Sequence, residues 1–146
     1  MKSILMLAAA AVLVSGAASA ADMQQGTKDR ISAYVRVNIA LFTNEACMFV
    51  SEDERSDFLD AVAGNVIGLR EELGTTVTSP TTAKAFLKLL QGQAMKQVQE
   101  SSMVCDPEDE TTVREGILEA AAINDSIAAH GPYIDPRGHP ETPRIR

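Results

Sequence analysis

Two cysteines and two runs of acid are the residues in this sequence with the most chemical potential. Cys47 is followed by Glu52-Asp53-Glu54, and Cys105 by Glu108-Asp109-Glu110. Paired thiols can form a redox centre, part of a metal site or a structural bridge. There is no Cys-x-x-Cys and no Cys-x-x-Cys-His, which argues against a thioredoxin-like centre and a covalent haem. A metal site built from Cys47, Cys105, His130 and His139 would draw four ligands from three separate regions. A single cysteine pair in a small exported chain reads first as a disulfide. The acidic runs lack the glycine and regular spacing of a calcium-binding EF-hand loop, and no metal is assigned to them.

The other candidate chemistry is sparse. No nucleophile elbow, phosphate loop, His-Glu-x-x-His or dinucleotide fingerprint occurs. His130 falls at the end of a helical pattern and His139 in a proline-rich tail, neither with a Ser, Cys or carboxylate at a catalytic spacing. The reading is a binding protein with no cofactor, not an enzyme.

The N-terminal segment sets the compartment. Residues 1–20 place Lys2 before an apolar run, Ile4 to Val14, and end in Ala18-Ser19-Ala20, the pattern of a cleaved signal peptide. The run is shorter than the roughly 20 residues of a membrane span. The expected destination is the bacterial periplasm, with full secretion as the alternative. Cleavage leaves 126 residues, enough for one core, and takes Lys2 off a net charge of −7 to give −8. Such a field argues against a nucleic-acid surface and suits either solubility or a basic protein partner.

The elements that position the cysteines are helices, because apolar residues recur three and four apart and strand signals are nearly absent. The spacing predicts helices over Lys28–Phe49, Glu52–Leu73, Pro80–Met103 and Pro107–His130, with Gly74 as a stop. Their inward stripes are expected to run through Ile31, Val35, Asn38, Phe42, Ala46 and Phe49, then Phe58, Val62, Val66, Leu69 and Leu73. The third carries Ala83, Phe86, Leu87, Leu90, Ala94 and Val98, and the fourth Val113, Ile117, Ala120, Asn124 and Ile127. Short connections predict an all-α four-helix bundle of two antiparallel hairpins over residues 21–131, with one disulfide. Residues 132–146, with four prolines, are expected as an extended, flexible tail that either stays free or lies along a partner or the body's acidic face through Arg137, Arg144 and Arg146.

This architecture gives the acid runs a structural role. Ser51 and Glu54 have capping-box spacing, Asp106-Pro107 and Ser79-Pro80 read as a cap followed by a first-turn proline, and Glu108, Asp109 and Glu110 suit the positive end of a helix dipole. Gly64 and Gly68, one turn apart, mark either close helix contact or a groove for a partner. Asn38, Asn65 and Asn124 lie on or beside the stripes, where they pair with one another, line a pocket or face water. One geometric conflict remains. In a square up-down bundle the first and third helices are diagonal, roughly 11–14 Å apart, whereas a disulfide needs Cα atoms about 4.4–6.8 Å apart. Either the helices converge at that end or the first touches the third.

"CDPEDET", Cys105 to Thr111, resembles the Cys-x-Pro-Glu-x-x-Thr element of small periplasmic immunity proteins that protect bacteria from peptidoglycan-cutting effectors of contact-dependent secretion systems. "GNVIGL", Gly64 to Leu69, is similar to the Gly-x-x-x-Gly helix preceding that element. The resemblance implies an all-helical, disulfide-bonded inhibitor that plugs an enzyme's active site. Two rival readings are a cell-envelope stress protein or holdase chaperone and a secreted structural or virulence-associated factor. The partner-binding residues expected are Asp53, Asp57, Asp109 and Glu110 at the acidic end, with Gly64 and Gly68 as an alternative groove.

Overall fold

The computed structural model describes residues 24–76, 78–129 and 131–137. The expected signal peptide, His130, His139 and the tail beyond Arg137 lie outside them. Four helices are present, α1 (Gln25–Cys47), α2 (Glu52–Thr76), α3 (Pro80–Glu100) and α4 (Pro107–Ala129), and none of the described residues lies in a strand. They form a helical bundle, as the periodicity predicts.

The order of the helices around the bundle departs from the expected square. The largest interface is between α1 and α4; α2 packs on α3 and α4, and α3 on α1, while the consecutive helices α3 and α4 barely touch. The circuit is therefore α1, α4, α2, α3, with α3 and α4 across a diagonal, and the second pair of helices is not a packed hairpin. The reason is the connection 101–106, where α3 stops at Glu100 rather than Met103. Six residues of non-helical chain can span about 20 Å, enough to cross the end of a bundle. This crossing resolves the geometric conflict. Cys105 arrives with α4, the closest neighbour of α1, and its Cα lies 5.5 Å from that of Cys47.

α1 is the central helix. It buries Ile31, Ala33, Tyr34, Val35, Val37, Ala40 and Leu41 together with Thr27, Asp29, Arg30, Asn38, Thr43 and Asn44. A one-sided stripe was the expectation, and Ala46, assigned to it, is exposed. A helix flanked by neighbours on several sides loses its polar face. Around it Phe58, Leu69 and Leu73 of α2, Leu87 and Leu90 of α3, and Ile123 of α4 are almost fully buried. Each such side chain contributes about 1.5–3 kcal/mol of transfer free energy.

One glycine expectation changes, and another glycine proves to matter. α2 runs through Gly74 to Thr76, so Gly74 is not its cap; a Cβ there would meet Pro80 Cα at 3.1 Å, and the glycine instead makes room for the start of α3. Gly116 marks the closest helix approach, since its ideal Cβ would lie 2.1 Å from Ala40 Cβ. The contact between α1 and α4 depends on that missing carbon.

The described part of the tail is docked rather than free. Tyr133 is 4% exposed and Asp135 is buried, while Pro132 and Ile134 face outward. Alternation along an extended segment places Tyr133 and Asp135 on the same inward side.

Candidate functional site

The bundle end that carries the disulfide is built from four chain segments. α1 closes on Met48, whose φ of 53° is left-handed, and its N–H donates to Asn44 O at 2.7 Å. The Asn44 side chain then accepts from the N–H groups of Phe49 and Val50 at 3.1 and 3.3 Å. A buried asparagine thus satisfies the turn into α2. Cys105 is the other non-glycine residue at positive φ, 55°. Such backbone is uncommon for these residue types, and here a covalent bridge joins the chain at or beside both positions.

The two helix starts follow at once. Ser51 N–H donates to Glu54 Oε2 at 2.9 Å, and Glu54 N–H donates to Ser51 Oγ at 3.2 Å, the reciprocal capping box expected of the sequence. The Ser51 amide, with help from Arg114, holds the Glu54 carboxyl below the usual range. At α4 the same exchange uses two aspartates: Asp106 N–H donates to Asp109 Oδ2 at 3.2 Å and Asp109 N–H to Asp106 Oδ1 at 2.9 Å. The Ser79 cap is also present, accepting from Thr82 N–H at 3.2 Å.

These contacts sort the expected partner-binding residues. Asp109 is buried and engaged in its cap, so it does not belong to an outward acidic surface. Glu110 is half-buried and sits 3.7 Å from Arg114, which also bonds Glu54 at 2.9 Å and ties α2 to α4. Arg55 similarly joins Glu45 at 2.8 Å and Glu52 at 3.2 Å. Asp53 and Asp57 are exposed and make no ion pair among the described residues. Gly64 and Gly68 line no groove: their faces are filled by Asn124 and Ile127 of α4, at 3.0 and 2.8 Å from ideal Cβ positions. The close-contact reading of that motif holds. Asn65 pairs with Asn124 at 2.7 Å as one of the sequence readings has it, whereas Asn38 accepts instead from Gln91 of α3 at 3.3 Å.

Among the polar groups of this end two large apolar side chains are exposed. Met48 is 81% exposed and Val104 is 73% exposed, one beside each cysteine. With Cα atoms of the bridge 5.5 Å apart, the two residues flank it at one end of the bundle, the end at which α2 begins with exposed Asp53 and Asp57. A flexible thioether and a branched aliphatic at an end with exposed charges have the composition of a small interface centre. Sequence reasoning missed these two because neither belongs to a motif.

A second polar constellation lies inside the bundle. Glu119, mid-helix in α4 and 1% exposed, accepts from Arg36 Nε at both carboxylate oxygens, 2.9 and 3.0 Å, and from Nη2 at Oε2, 2.8 Å. Tyr133 donates its hydroxyl to Glu119 Oε2 at 2.9 Å, and Arg137 Nε lies 3.2 Å from Oε1. Arg137 also clasps Asp135 at 2.6 Å, and Arg36 stands 3.8 Å from Asp135. Burial pushes the Asp135 carboxyl up, but hydrogen bonds and charge from Arg137, with Arg36, outweigh it and hold the group at about 2. Burial first, then the Glu119 charge, raises the Tyr133 phenol well above its ordinary range. Two guanidiniums thus face two deeply buried carboxylates, a balanced set that works as a lock between α1, α4 and the tail. At the opposite end Arg30 forks onto Glu72 and donates to Ser126 and Gly131, joining α1, α2 and α4.

Among the described residues no group of three metal-ligating side chains gathers, and no helix is long and apolar enough to cross a membrane. No protein-family model, curated protein or solved structure matches the chain.

Proposed function

We propose that this protein acts by binding another protein through its disulfide end, with Met48 and Val104 as the apolar centre and exposed carboxylates as the guide. The observation that carries the reading is the exposure of both side chains on either side of a bridge that fixes their backbones. A backbone fixed before binding lowers the ordering cost of association, and exposed charges steer encounter with an oppositely charged partner. The partner class that suits this is a basic enzyme of the cell envelope, with the disulfide end entering its cleft; neutralising a peptidoglycan-cutting effector in the periplasm is the specific form we favour. The resemblance of Cys105 to Thr111 to immunity proteins points the same way.

Affinity capture from envelope extract, followed by binding kinetics with the purified partner, tests the proposal. Met48→Ser with Val104→Ser should raise the dissociation constant at least about tenfold, and Asp53→Asn with Asp57→Asn should slow association and flatten its salt dependence. A complex indifferent to all four substitutions would overturn the assignment. A holdase would instead bind many unfolded clients, together with a hydrophobic dye, only at low pH.

A further inference from the structure

Charge is distributed unevenly over the helices. α3 carries Lys84, Lys88 and Lys96 against Glu100 alone, while α2 carries Glu52, Asp53, Glu54, Asp57, Asp60, Glu71 and Glu72 against Arg55 and Arg70. The three lysines are exposed, and between them lie exposed Ala85, Leu89 and Gly92, the lining, with Gln93, of a shallow open depression. On α2 the exposed residues Asp60, Ala63, Ile67 and Glu71 recur at helical spacing. Ile67 is 58% exposed and Leu89 48%, and α2 and α3 are packed neighbours. The two packed helices therefore carry an exposed acidic-apolar strip on α2 and an exposed basic-apolar strip on α3.

We infer that these two strips bind a second copy of the chain, each α2 lying over the partner copy's α3. The register supports it. The turn sets Gly74 against Pro80, so each step back along α2 is matched by a step forward along α3. Glu71 is then level with Lys84, Ile67 with Leu89, Ala63 with Gly92, and Asp60 with Lys96, each within about 3 Å of rise along the helix axis. A two-fold axis parallel to the helices keeps these levels and lays α2 on α3 of the other copy, carboxylates over lysines and small residues over small. The alternative axis, across the helices, lays α2 on α2 and sets carboxylate against carboxylate. A closed two-fold pair makes both contacts at once, which a head-to-tail arrangement does not. An anionic lipid surface could also take the lysines, but it would meet the net negative charge of the whole molecule. The chain itself supplies the better complement.

Sedimentation velocity on the purified, disulfide-bonded protein from about 1 µM to about 1 mM, at low and high salt, tests the pairing. The expected result is a dimer weakened by salt. Lys96→Glu and Asp60→Lys should each raise its dissociation constant at least about tenfold, while the two variants mixed should form a heterodimer tighter than either homodimer. Ile67→Glu should leave a monomer with an unchanged helical signal and melting temperature, since the side chain is exposed. A protein monomeric throughout the range, a dimer that ignores these substitutions, or a monomer that cosediments with phosphatidylglycerol vesicles through its lysines would each overturn the inference.

Discussion

Arg36 of α1 and Glu119 of α4 meet in a bidentate fork inside the bundle, with Nε and Nη2 of the guanidinium 2.9 and 2.8 Å from the two carboxylate oxygens. The pair spans the helix crossing that Gly116 allows to close. Removing Arg36 leaves the buried Glu119 carboxylate with only Arg137 and the Tyr133 hydroxyl, so Arg36→Ala is expected to cost up to about 3 kcal/mol, less than the loss of a lone buried partner. Arg36→Met with Glu119→Leu, which removes both charges, should cost less than the single change. Tyr133→Phe, which deletes one hydrogen bond to Glu119, should cost about 1–2 kcal/mol. Urea denaturation of the three variants measures all of these.

The same cluster predicts a pH response. Asp135 is held at about 2 in the folded chain against 3.8 for a free side chain. A carboxyl depressed on folding stabilises above its unfolded pKa and loses that contribution as pH falls through the folded one, here across pH 4 to 2. The contribution is at most about 2 kcal/mol. Burial raises Asp29, only partly opposed by Gln25, Arg36 and Arg30, which gives the opposite sign: its contribution is present below pH 3.8 and lost as pH rises through the folded value. Asp135→Asn should therefore flatten the acid limb of stability against pH. Asp29→Asn should raise stability at neutral pH relative to the native protein. Thermal melts from pH 2 to pH 7 check both.

Gly116 gives a prediction about packing alone. Its ideal Cβ would stand 2.1 Å from Ala40 Cβ, and neither atom sits on a flexible side chain that could swing away. Gly116→Ala must push α1 from α4, and a loss of at least about 2 kcal/mol is expected, against the gain of up to about 1 kcal/mol that Gly→Ala brings in an open helix. Gly92, with open space around it, is the control: Gly92→Ala should stabilise the monomer. Gly68→Ala falls between, because the atom in its way is the end of the Ile127 side chain.

The helices, their starts and the cysteine pairing were legible in the sequence because each rests on short-range rules. Period, capping box and cap-then-proline act within one or two turns. Which helices adjoin was not, since α3 and α4 are consecutive yet diagonal, and only the length of the 101–106 crossing hints at it. Arg36 and Glu119 were equally hidden: 83 residues separate them, and a charged residue beside an apolar stripe reads as solvated until a third element covers it. Tyr133 and Asp135 supply that cover from a segment whose prolines suggest freedom. The acid run at α4 serves the helix start, as its spacing suggests, and only Asp109 as a partner-facing charge departs from the expectation. Asp109 has the composition of a surface charge, but its position three residues after Asp106 makes it part of the cap.

Cys47 and Cys105 offer the test that joins stability to binding. The bridge closes a loop with a sequence separation of 58, for which the chain-entropy model gives about 4 kcal/mol. Reduction should lower the melting temperature accordingly. It should also do something a merely stabilising bond would not. Met48 and Cys105 both hold left-handed backbone at or next to the bridge, so release lets either turn relax and separates the two apolar side chains of that end. At a temperature where the reduced chain keeps its helical signal, partner affinity should fall at least about tenfold through faster dissociation. Asp53 and Asp57 are unaffected by reduction, so the association rate and its salt dependence should stay as they were. Cys47→Ser with Cys105→Ser repeats the measurement without reductant. Equal affinity of bridged and unbridged folded protein for the captured partner would confine the disulfide to stability and remove that end from the binding surface.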